Sequence, residues 1–253
     1  MPASPFERHG RPLVWAHRGA SREAPENTLA AFALAVAQGA DGVELDAQLC
    51  GSGEVVVFHD ASLGRTAGAP GLLEETPWPR LRSLDAGRFK GARWAGERIP
   101  LLAEVLAATP NSLLVNVELK CERPDDRGLT AAVVAVICEA RAEGRVLLSS
   151  FNPLCLARAR ALAPGLPRAL LFEAHQPLWL RAALTAPLLA PVALHPEAAL
   201  ATREAVSAWR RRGYLVACWT VDDPAVARRL WESGVAGLIT NTPGALRTAL
   251  GLG

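Results

Sequence analysis

Glu44 and Asp46 stand two residues apart in the run GVELDAQL, and Glu118 sits near the end of a second run, LLVNVELK. Like charges gathered in one pocket repel, and a divalent cation removes that cost. An all-oxygen donor set, with no cysteine and no obligatory histidine, suits Mg²⁺ or Ca²⁺ better than zinc. The competing reading is a solvated strand edge, or ion pairs with Arg18 and Lys120. His17 and Arg18 close the first apolar run, and His59 ends the run EVVVFH. Imidazoles exchange protons near neutral pH, so one can accept a proton while the other donates one. Arg18 can grip a phosphate in a fork, and Lys120 adds a point charge. Carboxylates, imidazoles and cations in this combination describe metal-assisted phosphoryl transfer.

Such groups work only if the chain brings them to one place. Short apolar runs at 13–17, 42–49, 113–120, 146–151, 168–173, 191–195, 215–221 and 237–241 read as strands buried on both faces. Helix-like segments separate them. In TLAAFALAVAQG, Leu29, Phe32, Ala33 and Val36 form one apolar stripe. Asn27 or Thr28 can cap its start and Gly39 can end it. Another segment is PLWLRAALT, at 177–185. Eight strands alternating with eight helices imply a parallel sheet. At this length they favour a closed (β/α)₈ TIM barrel as a single domain over residues 1–253. Residues 50–100 break the pattern, with an extra strand followed by a Gly- and Pro-rich stretch too long for an ordinary βα loop. They read as a small subdomain inserted after the second strand, at the barrel mouth. His17, Arg18, Glu44, Asp46, Glu118 and Lys120 then fall at carboxyl ends of strands, where barrel chemistry is done.

Other polar residues divide less clearly. Glu26 could open a helix or reach the acidic site as a ligand or supporting group. His195 ends the sixth strand and is a candidate substrate contact. Trp219 is either barrel filling or an aromatic wall for a small carbon frame. His175 lacks such company, and His9 lies in the polar N-terminal stretch.

Composition narrows the class. The 253 residues carry a formal net charge of +2 with acids and bases interspersed, which argues against a nucleic-acid groove or a basic membrane patch. No apolar stretch has signal-peptide or membrane-spanning character. The five cysteines show no CxxC spacing and read as reduced. The expectation is a cytoplasmic protein without membrane insertion.

The pieces AHRGASREAPENTLAAF, GADGVELDAQL, VVVFHDASLGRTAGAPG, IPLLAEVL, VNVELK, SSFN, ACWTVDDP and GVAGLITNTP follow one another from about residue 13 onward. In kind and order they resemble the glycerophosphodiester phosphodiesterases, especially the short bacterial type. The resemblance implies a (β/α)₈ barrel with a small inserted subdomain. It also implies divalent-metal-dependent hydrolysis of a small-molecule glycerophosphodiester to glycerol 3-phosphate and an alcohol. Carried over by motif, Glu44, Asp46 and Glu118 look like metal ligands, and His17 and His59 like the acid/base pair. Arg18 and Lys120 look like phosphate contacts, and Trp219 like a substrate wall. One departure is Asn241, where the family commonly has aspartate. It is expected to leave the catalytic set untouched and to alter only a structural or supporting contact. Rival readings are a lysophospholipid-cleaving barrel, a phospholipase C-type barrel and a non-catalytic phosphodiester binder. The first should carry an apolar, lipid-facing loop; the second does not account for the E-L-D and ENT pieces; the third should have lost a histidine or an acid.

Overall fold

The structure, a computed structural model, describes residues 5–7, 10–177 and 185–252. His9 and most of the segment PLWLRAALT lie outside the described residues. Among the described residues there are nine strands: β1 (Leu13–His17), β2 (Gly42–Leu49), β3 (Val55–Val57), β4 (Leu114–Leu119), β5 (Val146–Ser150), β6 (Arg168–Phe172), β7 (Ala193–Pro196), β8 (Leu215–Cys218) and β9 (Gly237–Thr240). All but β3 are parallel, and β1 pairs with both β2 and β9, so the sheet closes into an eight-stranded barrel. The helices among these residues are α1 (Leu29–Ala37), α2 (Gly64–Ala67), α3 (Trp78–Ser83), α4 (Leu102–Ala108), α5 (Leu129–Glu139), α6 (Pro153–Leu162), α7 (Ala186–Leu189), α8 (Arg203–Arg211), α9 (Pro224–Glu232) and α10 (Pro243–Leu250). This is the (β/α)₈ TIM barrel expected from the alternation.

Strand periodicity sorts the side chains. Val43, Leu45 and Ala47 of β2 point outward into the strand–helix core with Phe32, Val115 and Val117. Burying an aliphatic chain of this size is worth about 1.5–3 kcal/mol. Glu44 and Asp46 alternate with them and face the barrel interior. The lower interior is filled by Leu13, Trp15, Leu114, Leu147 and Ile239. Gly42 is needed there, because a Cβ would lie 2.5 Å from the Trp15 ring.

Residues between β2 and α4 gather their own apolar cluster, including Val56, Phe58, Leu63, Leu73 and Leu81. β3 runs antiparallel to the end of β2, with Ala47 opposite Val57. It is shorter than the expected 54–59 run, because the Gln48 side chain takes over the carbonyls that follow it. Gln48 Nε2 donates to the oxygens of Phe58, His59 and Asp60 at 2.8, 3.0 and 3.3 Å. That clamp turns His59 back toward the strand ends.

His195 does not face the mouth. It is 2% exposed, its Nδ1 has no hydrogen-bond partner, and it lines a small interior cavity with Phe6, Trp15 and Leu147. The sequence-based reading of a substrate contact therefore gives way to a buried neutral ring. Burial pushes its pKa down to about 3. The unfolded chain takes up a proton here near pH 6.5 and the folded chain does not, so stability falls as pH drops from about 6.5 toward about 3. The slope from this one group is about 1.4 kcal/mol per pH unit. His195→Leu should flatten the urea-derived stability curve over that window by this amount; parallel curves for the two proteins would refute the assignment.

Candidate active site

Parallel register assembles the acids. Asp46 pairs with Glu118 across β2 and β4, and His17 pairs with Glu44 across β1 and β2. One oxygen each from Glu44, Asp46 and Glu118 lies within 4.8 Å of the others, and all three residues are buried. Burial and then the neighbouring Asp46 charge push Glu44 up to about 8, and burial pushes Glu118 up to about 7. Burial also works to raise Asp46, but Arg18 and Lys120 outweigh it and hold the carboxyl below its ordinary value. The ion-pair reading is present in part. Lys120 Nζ lies 3.0 Å from Glu118 Oε1 and Arg18 Nε lies 3.1 Å from Asp46 Oδ2. Three carboxylates still outnumber two cations, and buried Asp46 Oδ1 has no hydrogen-bond partner, with Lys120 Nζ 3.7 Å away. Clustered hard oxygen donors with an unpartnered lone pair fit a divalent cation of the Mg²⁺ or Ca²⁺ kind.

Asn27 is not the helix cap. Thr28 accepts the bond from the Ala31 amide, whereas Asn27, at φ +58°, donates Nδ2 to Asp46 Oδ2 at 2.8 Å. Arg18 also adopts the left-handed region, at φ 55°, and its amide donates to Glu44 Oε2 at 3.1 Å. Holding such residues there costs on the order of 1 kcal/mol each, a strain typical of functional turns. Gly19 follows with φ +82°, where a Cβ would strike the Ala31 backbone at 2.6 Å. The His-Arg-Gly turn is thus folded to aim both a guanidinium and a main-chain amide at the acids.

The histidines flank the acids in unlike settings. Asn241 Nδ2 donates to Asp222 Oδ2 at 2.7 Å, so its Oδ1 is the atom facing His17 and Ser21. His17 Nδ1 must therefore carry the proton it gives to Asn241 Oδ1 at 2.8 Å, leaving the Nε2 lone pair toward Glu44 Oε2, 3.9 Å away. Burial, reinforced by Arg18, lowers the His17 pKa. His59 Nδ1 instead meets a carboxylate, Asp60 Oδ1, at 2.7 Å. Burial lowers His59 too, with Asp46 opposing it. Asn241, expected to alter only a structural or supporting contact, makes such a supporting contact directly to the His17 ring. Nothing in the sequence sets Asp222 and Asp60 apart from other surface acids. Each stands in a short acidic turn, DD or HD, and only the fold shows which ring or amide it serves.

Glu26 does not join the carboxylate cluster. It bridges Arg18 Nη1, at 2.9 Å, and Arg65. His17, Arg18, Glu44, His59, Glu118, Lys120 and Trp219 all line one cleft of about 650 Å³. Trp219 packs edge-on against Phe151, centroids 5.4 Å apart, and its Nε1 donates to the His195 carbonyl at 2.8 Å. Asn116 and Ser149 also face this cleft, buried and with side-chain polar atoms unpartnered. Their inward positions on β4 and β5 were the available sequence signal. The outer wall is charged, with Glu74 paired to Arg123 and Arg127.

The sequence profile of the glycerophosphoryl diester phosphodiesterase family matches residues 17–245. The chain belongs to that family. Membership makes it a phosphodiesterase by class. A glycerophosphodiester phosphodiesterase from Caldanaerobacter subterraneus subsp. tengcongensis is 37% identical over 238 residues, covering 91% of this chain and 94% of that protein. One from Bacillus altitudinis is 34% identical over 237 residues, with 91% and 94% covered. Among solved structures, an Oleispira antarctica phosphodiesterase in complex with the product sn-glycerol-3-phosphate superimposes with a TM-score of 0.89. It is 35% identical, over 95% of this chain and 97% of that one.

Proposed function

We propose that this member of the glycerophosphoryl diester phosphodiesterase family hydrolyses small glycerophosphodiesters to glycerol 3-phosphate and an alcohol, with Mg²⁺ or Ca²⁺. The observation that carries the reading is one cleft whose buried Glu44, Asp46 and Glu118 are flanked by two histidines held in different ways. The product complex of the Oleispira relative supports the substrate class. The charged wall of Glu74, Arg123 and Arg127 favours a polar alcohol over an acyl chain and so weighs against the lysophospholipid reading. Retention of both histidines and all three acids weighs against a binder that does no chemistry. Residues 50–100 act as a small subdomain that brings His59 to the mouth. No described helix is long and apolar enough to cross a membrane, and all five cysteines are free, which supports a reducing, cytoplasmic setting.

Bound by the three acids, the cation would supply charge stabilisation at the phosphate oxygens. Arg18 and Lys120 hold the phosphate, and Trp219 walls the carbon frame. His17 Nε2, a lone pair fixed by the Asn241 contact, takes the proton of the attacking oxygen. His59, whose Nδ1 proton is held by Asp60, gives its Nε2 proton to the departing alcohol. The test is release of glycerol 3-phosphate from a panel of glycerophosphodiesters, with EDTA and each metal added back. Turnover that EDTA abolishes and Mg²⁺ or Ca²⁺ restores is expected; absence of release from every substrate would refute the reading.

A further inference from the structure

Arg65 lies on α2 in the inserted stretch and is not part of the cleft wall. Its guanidinium nevertheless joins the two supports on which the cleft residues rest. Nε and Nη2 donate to Asp60 Oδ2 and Oδ1 at 2.6 and 2.9 Å. Nη1 and Nη2 donate to Glu26 Oε2 and Oε1 at 2.7 and 2.8 Å. Each carboxylate then holds a residue that faces the cleft. Asp60 takes His59 Nδ1 at 2.7 Å, and Glu26 takes Arg18 Nη1 at 2.9 Å. The insertion and the β1–α1 turn also meet where Lys90 Nζ donates to the Ser21 carbonyl and Arg93 Nη2 to the Glu23 carbonyl, but among these contacts only the Arg65 fork reaches the carboxylates that hold cleft residues.

Stability alone does not account for the arrangement. The Arg65 side chain is 47% exposed, and exposed ion pairs add little to folding. A planar fork does something a point charge cannot, because it fixes the angle between two carboxylates in bidentate pairs. Without it, Asp60 and Glu26 would face each other as like charges and drift apart. We propose that Arg65 is a positioning residue, clamping Asp60 to Glu26 so that His59 and Arg18 keep one fixed spacing across the phosphodiester. This rests on the hydrolase reading above. It predicts that a residue outside the cleft governs both proton delivery and phosphate grip.

The experiment compares wild type, Arg65→Ala and Arg65→Lys on glycerophosphoethanolamine, with melting temperatures measured alongside. Misplacing a reacting group by about 1 Å can cost roughly a hundred-fold. Arg65→Ala should lose about that much in kcat/KM, with kcat falling and KM rising, and with Tm close to wild type. Arg65→Lys should recover little, because an ammonium cannot span both carboxylates. Guanidinium at sub-denaturing concentration should restore part of the Arg65→Ala activity, and the same concentration of sodium chloride should not. Imidazole NMR reads the clamp without turnover: His59 ring signals should shift and broaden in Arg65→Ala. Unchanged kcat and KM, a loss that guanidinium does not relieve, or an unmoved His59 spectrum would each overturn the clamp. A wild type that shows the His59 change on mutation but turns over no glycerophosphodiester would instead sink the hydrolase reading.

Discussion

His59→Ala should cost two to four orders of magnitude in kcat on glycerophosphoethanolamine, and far less on a nitrophenyl phosphodiester. A general acid contributes roughly a hundred- to ten-thousand-fold when the leaving group needs a proton. An alkoxide needs one and a nitrophenolate scarcely does. His17→Ala should cost about the same on both substrates, because activating the attacking oxygen does not depend on what departs. The direction follows from the two Nδ1 partners. His17 gives its Nδ1 proton to a neutral amide oxygen, Asn241 Oδ1 at 2.8 Å, so its Nε2 is poised as an acceptor. His59 gives its Nδ1 proton to the Asp60 carboxylate at 2.7 Å, a contact that works against the lowering of its pKa by burial and supports the doubly protonated ring that a donor requires. Asp60 itself is held at about 2, chiefly by Arg65, so it stays charged for this task throughout the working range. Steady-state kinetics on the two substrates decide the matter. Reversed sensitivities would exchange the roles, and equal losses throughout would leave both rings with structural or metal-linked parts only.

Much of this site was legible because strand periodicity and chemistry coincide. Glu44 and Asp46 share a face by the two-residue repeat of β2, and the interleaved Val43 and Leu45 say which face is the core. A parallel barrel then puts Glu118 beside Asp46 by register. What the sequence hid lies in turns, where no periodicity tells a side chain's direction. Asn27 looked like a helix cap because Asn caps helices well, yet a left-handed backbone aims it at Asp46 and leaves the cap to Thr28. Glu26 looks able to reach the acidic cluster from sequence, but Arg18 and Arg65 intercept it. His195 differs from its strand-end expectation for another reason. Its strand continues to Pro196, so the ring sits below the mouth and packs against Trp15 rather than substrate. Asn241 shows the limit of motif comparison, since its part becomes visible only when Asp222 fixes which way the amide points.

Asp46→Asn should abolish most activity and weaken Mg²⁺ and Ca²⁺ binding by at least about a hundred-fold, given that even the partners supporting metal ligands are worth about 10- to 100-fold. Asp46 is the member of the cluster with the least slack. Asn27 Nδ2 lies 2.8 Å from its Oδ2 and Arg18 Nε 3.1 Å from the same atom, while Oδ1 remains unpartnered and buried. The amide keeps the shape but removes the charge that Arg18 and Lys120 stabilise. It also turns one acceptor into a donor, set against the Arg18 guanidinium and Asn27 Nδ2 or against the Lys120 ammonium, all of which donate. Glu44 and Glu118 behave differently, since burial drives them up to about 8 and about 7. At neutral pH these two compete for protons, and a cation must displace those protons to bind. Metal affinity in the wild type should therefore rise between pH 6 and pH 8, with proton uptake by the buffer visible as a dependence of the calorimetric heat on buffer ionisation enthalpy. Titration calorimetry of Mg²⁺ and Ca²⁺ into both proteins, at two pH values and in two buffers, measures all of this without substrate. Unchanged binding in Asp46→Asn would remove Asp46 from the ligand set. A pH-independent wild-type affinity would mean that Glu44 and Glu118 are already ionised, with Arg18 and Lys120 alone neutralising the pocket.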